Sequence, residues 1–205
     1  MKKHNVLASA LGLVLAAVVT IGAVPWAEAP APSQERMTFS MQAQYVGTAN
    51  FGESVAGQTP LTIGIEKFNT PDERDAMEEI FRADGMQALA DALRSAERVG
   101  FIRAPSAGTT GWQLRYAMMY AGPNNTRILR LATDRPISFE EAVNRRNRSW
   151  DYNVSLIELV VDEEGNGEGV IYVGVEFSYN ETDDTFGIKS ITSQPIRLNN
   201  VRLQQ

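Results

Sequence analysis

The chain has 205 residues, no cysteine and a single histidine, with 19 basic against 25 acidic side chains and a net charge of −6. The only histidine, His4, lies in the leader described below, so the folded part cannot build a Ser-His-Asp triad, a Cys nucleophile, the usual His/Cys zinc sites, His- or Cys-ligated haem or an iron–sulfur cluster. The acidic balance also argues against nucleic acid, since neutralising phosphates requires a basic face.

The N-terminus has the layout of an export signal. Lys2, Lys3 and His4 form a basic start, residues 6–24 are an apolar run, and Ala27-Glu28-Ala29 fits the A-x-A cleavage pattern. Residues 1–29 are therefore expected to be a signal peptide. Pro30 directly after that cut hinders cleavage, which leaves Ala27 or Ala23 as fallback sites. An uncleaved anchor is the alternative, because the run reaches about the 18 apolar residues at which a span becomes possible. Cleavage after Ala29 would remove Lys2, Lys3 and Glu28, leaving 17 basic against 24 acidic residues and a net charge of −7. No stable membrane span would then remain. The expectation is a periplasmic or extracellular bacterial protein, with residues 30–36 as a proline-containing tether and 37–205 as one domain held by packing alone.

Residues 38–46 and 60–68 alternate as strands around a Gly-containing loop. Thr70-Pro71-Asp72-Glu73 then opens a helix: Thr70 caps, Pro71 suits the first helical position and Glu73 completes a capping box. Ala76, Met77, Ile80 and Phe81 form its apolar stripe, and Gly85 ends it. A second helix carries Met86, Leu89, Ala90, Leu93 and Ala96 at helical spacing and stops at Gly100. A helical hairpin is predicted. Residues 111–121 follow as a strand with Trp112, Leu114, Tyr116, Met118 and Tyr120 on one face, and 126–133 as its return. Ser138-Phe139-Glu140-Glu141 opens a short extra helix to about 146. Strands at 151–161, 170–179, 185–191 and 194–203 complete an α+β domain, predicted as an antiparallel β-sandwich or partly open barrel with the hairpin packed on it.

Three constellations are candidates for chemistry. Setting Ile157, Leu159 and Val161 beside Val175, Val173 and Ile171 gathers the β-branched residues and leaves Glu158 and Glu176 as a diagonal pair roughly 7 Å apart. A glycosidase uses two carboxylates at about that separation, one as acid and one as nucleophile or base. The simpler reading is two solvated glutamates on an outer face. Trp112, Tyr116 and Tyr120 read first as a core face, and alternatively as the wall of an apolar ligand site or a sugar platform. Asp162, Glu164 and Asn166 present oxygen ligands at alternate positions. However, the twelfth position of an EF-hand loop starting at Asp162 is Val173 rather than Glu, so an acidic hairpin turn is favoured over a calcium site. Arg145, Arg146 and Arg148 close a helix that Glu140 and Glu141 open, as the helix dipole prefers.

The strings Leu61-Thr-Ile-Gly-Ile-Glu66, Asp72-Glu-Arg74, Val99-Gly-Phe-Ile-Arg103 and Thr133-Asp-Arg-Pro-Ile-Ser-Phe139 have a familiar look. So do Asp151-Tyr152, Gly165-Asn-Gly-Glu-Gly169 and Gln194-Pro-Ile-Arg-Leu-Asn-Asn-Val201. Together they resemble a family of small exported bacterial proteins with no assigned activity, over roughly residues 60–202. The resemblance implies export and a single domain, and it carries no catalytic residues with it.

The expected function is a non-enzymatic exported binding or accessory domain with no cofactor. Its partner would be a small apolar ligand, held in a barrel interior by Trp112, Tyr116 and Tyr120, or an envelope protein. A carboxylate hydrolase acting on glycans through Glu158 and Glu176, and a structural envelope protein, are the alternatives.

Overall fold

The computed structural model describes residues 36–48, 54–104, 111–137, 154–180, 182, 185–191 and 194–204. Within them the chain forms β1 (Met37–Thr48), β2 (Ser54–Ile65), α1 (Pro71–Ser95), β3 (Gly100–Arg103), β4 (Trp112–Ala121), β5 (Arg127–Thr133), β6 (Ser155–Val161), β7 (Asn166–Tyr172), β8 (Val175–Asn180), β9 (Thr185–Ile191) and β10 (Ile196–Gln204). Eight strands close into an antiparallel barrel in the order β1-β10-β7-β6-β5-β4-β3-β2, while β8 and β9 form a separate two-stranded ribbon. The α+β sandwich or partly open barrel is corrected accordingly to a mostly β, fully closed barrel with one helix laid outside it. Closure leaves no barrel edge exposed, which an open sheet of apolar strands would otherwise have to protect.

Alternation explains the barrel strand by strand. The β1–β2 hairpin pairs Met37 with Ile65, Phe39 with Ile63 and Met41 with Leu61, so every second residue meets an apolar partner on the inner side. Met37 is partly buried at the rim, and Phe39, Met41, Leu61, Ile63 and Ile65 are almost completely buried, as are Ile102, Trp112, Leu114, Leu129, Leu131, Ile157, Leu159, Ile171 and Leu198 from the other walls. Their partners on the outer side are mainly polar, as at Gln42, Gln44, Arg197 and Arg202. Apolar inside and polar outside is the reverse of a lipid-embedded barrel. Eight strands give an interior just wide enough for side chains to fill, and here they fill it.

The predicted helical hairpin is absent, and a single bent helix takes its place. The capping box forms as expected, with Thr70 Oγ1 accepting from Glu73 N at 3.2 Å and Thr70 N donating to Glu73 Oε2 at 2.8 Å. Gly85 does interrupt the helix, as the sequence predicts, but the chain does not reverse there. Gly85 adopts φ 78° and ψ −165°, and the helix resumes and runs to Ser95. One residue can kink an axis, whereas reversing it requires a connecting loop of about two to five residues. The two halves bury Phe81 and then Leu89, Ala90 and Leu93, packed with Ala132 and Val154 and with the aromatic rings of Phe177, Tyr179 and Phe186 from the ribbon. Asn69 fixes the entry to the helix: its backbone N donates to Ala117 O at 2.8 Å, and its side-chain Oδ1 accepts from Ala117 N at 2.8 Å. The predicted signal, the tether up to residue 35, the extra helix at 138–146 and Arg145, Arg146 and Arg148 lie outside the described residues.

Two more corrections come from the strands. The segment 170–179 is two strands, broken where Gly174 takes φ 60°; β7 stays in the barrel and β8 leaves it. The four-residue strand β3 escapes a reading by alternation because it is too short to show a period.

Candidate functional site

The barrel wall formed by β4 to β7 holds most of the residues singled out above, and its register decides what they do. In β4 a bulge at Arg115 separates Leu114, opposite Thr133, from Tyr116, opposite Ala132. An extra residue moves every later side chain to the other face. Trp112 therefore points inward and is 2% exposed, whereas Tyr116 and Tyr120 lie on the outer wall beside α1. The three do not line one interior surface. Tyr116 packs in the layer under the helix, its hydroxyl 3.4 Å from that of Tyr120. Burial, then the neighbouring Tyr120, pushes the Tyr116 phenol well above its ordinary range.

The glutamate pair is also separated. Ile157 faces Ile171, Leu156 faces Tyr172 and Glu158 faces Val170, a register four residues from the one that places Glu158 near Glu176. Glu176 belongs to β8 in the ribbon, where Lys189 Nζ donates to it at 2.8 Å. Glu158 instead sits directly opposite Arg130 on β5, with Arg130 Nε donating to Glu158 Oε2 at 3.0 Å. The structure brings no two of these carboxylates into a glycosidase arrangement.

The register reveals a different array on the outer face. Tyr120 lies opposite Ile128 and diagonal to Arg130; Glu158 lies opposite Arg130; Tyr172 lies opposite Leu156 and diagonal to Glu158. A line Tyr120–Arg130–Glu158–Tyr172 thus crosses four strands. The Arg130 guanidinium stands over the Tyr120 ring at 5.4 Å. Burial, then the carboxylate of Glu158, raises the Tyr172 phenol above its ordinary range, with Arg130 opposing. Arg130 and Glu158 keep 25% and 23% of their side-chain surface exposed, so the pair is reachable from solvent. Aliphatic side chains flank the line at Ile128, Leu156 and Val170, and Val160 is 39% exposed. Sequence reasoning missed Arg130 and Tyr172. Their only signal is a charge and a phenol at outward positions of apolar strands, and it becomes meaningful only once the register is known.

At one end of the same wall the β4–β5 and β6–β7 turns border a shallow, open concavity of about 270 Å³ lined by Asn124, Asn125, Asp162, Glu163 and Glu164. Asp162 Oδ1 accepts from Asn166 N at 2.8 Å, and Arg127 Nη2 donates to the carbonyls of Asp162 and Glu163 at 3.1 and 3.0 Å. These bonds build a hairpin turn. Among the described residues no three Asp, Glu, His or Cys side chains gather as a metal site.

Comparison with family models, with curated proteins and with solved structures gives no match for this chain.

Proposed function

We propose that this is an exported, non-catalytic binding or accessory domain that meets its ligand on the outer wall of the barrel. The observation that carries the reading is the filled interior: Leu114, Leu129, Leu131, Ile157, Leu159 and Leu198 are all 0% exposed and leave the barrel no room for a guest. A ligand held between Trp112, Tyr116 and Tyr120 inside the barrel is set aside, because the bulge at Arg115 turns the two tyrosines outward. The glycan-hydrolase alternative loses its catalytic pair, since Glu158 and Glu176 stand in different sheets with a basic partner each. What remains solvent-facing and chemically varied is the β4–β7 wall, with aromatic, ionic and aliphatic side chains side by side. Export rests on the leader: the basic start, the apolar run at 6–24 and Ala27-Glu28-Ala29, together with the resemblance to small exported bacterial proteins.

Native mass spectrometry of the protein recovered from the envelope and medium of the producing cell tests both parts. The expected result is a mass lacking the leader and accompanied by a defined bound species. A full-length mass confined to the cytoplasm refutes export. An apolar cargo released only on unfolding refutes an outer binding surface.

A further inference from the structure

We infer that two copies of this chain pair edge to edge through residues 54–61 of β2, an association that stands apart from whatever the outer wall binds.

The barrel is closed, but β1 and β2 outrun it. They pair with each other all the way from Met37 opposite Ile65 to Thr48 opposite Ser54. β10 covers β1 only over residues 38–44, and β3 covers β2 only over residues 62–65. Beyond those limits the two strands form an arm. Among the described residues no strand lies on the far side of β2 at 54–61.

The ladder shows which backbone groups this edge presents. Glu66 N donates to Val99 O at 2.8 Å, one rung past Ile65 opposite Gly100. Bonded and non-bonded pairs alternate along an antiparallel ladder, so Gly64 and Thr62 also bond toward β3. The register of β2 against β1 is unbroken, and the even positions keep that direction to the end of the strand. Ser54, Ala56 and Gln58 therefore turn both N–H and C=O to the open side, while the odd positions bond to β1. Pro60 falls on an outward position, which is where a strand tolerates a residue without N–H.

Such an edge is completed by another extended strand, and a second copy supplies one that fits. A two-fold axis sets the edge antiparallel to itself. Centred on Ala56, it places Ser54 opposite Gln58 of the other copy and Ala56 opposite its twin, giving about six backbone hydrogen bonds. Charge points the same way. The chain carries a net charge of −6, so its copies repel over most of their surface. Residues 37–65 contain one charged side chain, Glu53, although 21% of the chain is charged. Repulsion is weakest at this arm, and residues 54–61 hold none of the lysines or other charges with which strand edges are usually guarded against self-pairing.

Analytical ultracentrifugation of the protein as its producing cell accumulates it, across a concentration series, tests the pairing. The expected result is a monomer–dimer equilibrium with a dissociation constant on the order of 10–100 μM, as suits a small interface. Ala56→Pro removes the central outward N–H and no bond to β1; it should raise that constant at least tenfold, with an unchanged circular dichroism spectrum. Backbone hydrogen exchange in the unaltered chain decides the matter if that variant does not fold. Ser54, Ala56 and Gln58 should exchange more slowly at concentrations where the dimer forms, whereas Val55 and Gly57, bonded to β1, should exchange alike throughout. A monomer up to about 1 mM overturns the inference. So does a dimer that a folded Ala56→Pro variant retains, or one that leaves the three amides unprotected. Protection of those amides in the dilute monomer would mean that the edge is already covered by the chain itself, and protection only with a co-purifying species of another mass would assign it to a different partner; either result also overturns self-pairing.

Discussion

The filled barrel can be tested with one side chain. Leu131 lies at the middle of β5, opposite Ala117 on β4 and Ile157 on β6, and all three are 0% exposed. Leu131→Ala removes three carbon atoms from a space whose neighbours are themselves locked in a closed hydrogen-bonded cylinder, so little relaxation into the void is available. A buried Leu→Ala change costs about 2–5 kcal/mol, the larger values where the surroundings cannot collapse. The small facing residue Ala117 provides no bulk to move in, and about 3–4 kcal/mol is expected here. For a domain of this size that corresponds to a fall in Tm of roughly 6–16 °C. Thermal and urea unfolding, monitored by near- and far-UV circular dichroism, would measure it, with the urea m-value required to stay constant so that the loss is read as native-state stability. A loss below about 1 kcal/mol would mean that Leu131 borders empty or solvated space. The interior would then be a ligand chamber after all, and the case for an outer binding wall would fail.

Other changes follow from single contacts. Asn69→Ala leaves the buried Ala117 amide without its side-chain acceptor and should cost about 1–3 kcal/mol, with faster hydrogen exchange at Ala117; unchanged exchange there would refute the contact. Gly85→Ala would be expected to stabilise a plain helix by about 1 kcal/mol. At φ 78° and ψ −165°, a region essentially reserved for glycine, it should destabilise by about 1–3 kcal/mol instead, although nothing lies within 4 Å of the added Cβ; a higher Tm would show that the kink is not needed. The Tyr116 phenol, raised by burial and by Tyr120, binds its proton more tightly folded than unfolded. Its stabilisation is therefore complete below the ordinary phenol value of about 10 and lost as pH climbs past it. Tyr116→Phe should flatten the alkaline fall in stability, and an unaltered profile would refute that assignment.

Local chemistry was legible where a short string determines a short structure. Thr70-Pro71-Asp72-Glu73 forms its capping box because both hydrogen bonds lie within four residues. The strands around Leu129, Leu159 and Leu198 were legible because alternation in a half-buried strand follows directly from the pleat. The misread features all involve one residue whose conformation depends on distant contacts. Gly85 breaks the helix as its position suggests, yet Phe81 packs with Phe177 and Phe186 on one half and Leu89 and Leu93 are buried on the other, so the break is a kink and not the turn of a hairpin. Gly174 looks like an ordinary strand glycine, yet it is where β7 and β8 part.

Arg115 shows most clearly why the site stayed hidden. Trp112, Leu114, Tyr116, Met118 and Tyr120 alternate, but Ala117 and Met119 fill the intervening positions, so the pattern after Arg115 no longer says which face is the inner one. The bulge is set by what lies around it. Arg115 Nη1 donates to Ala96 O at the end of α1 and Arg115 Nε to Asp134 at 3.1 Å, so the guanidinium binds the helix terminus to the strand rim. Looping out Arg115 sends Trp112 and Leu114 into the barrel and Tyr116 and Tyr120 to the wall. The β6–β7 pairing, four residues from the expected one, takes Glu158 away from Glu176, and the β5–β6 pairing sets it against Arg130. The same side chains that suggested an interior pocket and a catalytic pair are thereby redistributed into a packed core and an exterior ionic and aromatic line. The placing of these side chains is consequently a property of register, set on β4 by the bulge at Arg115 and on β6–β8 by the hairpin pairing and the break at Gly174.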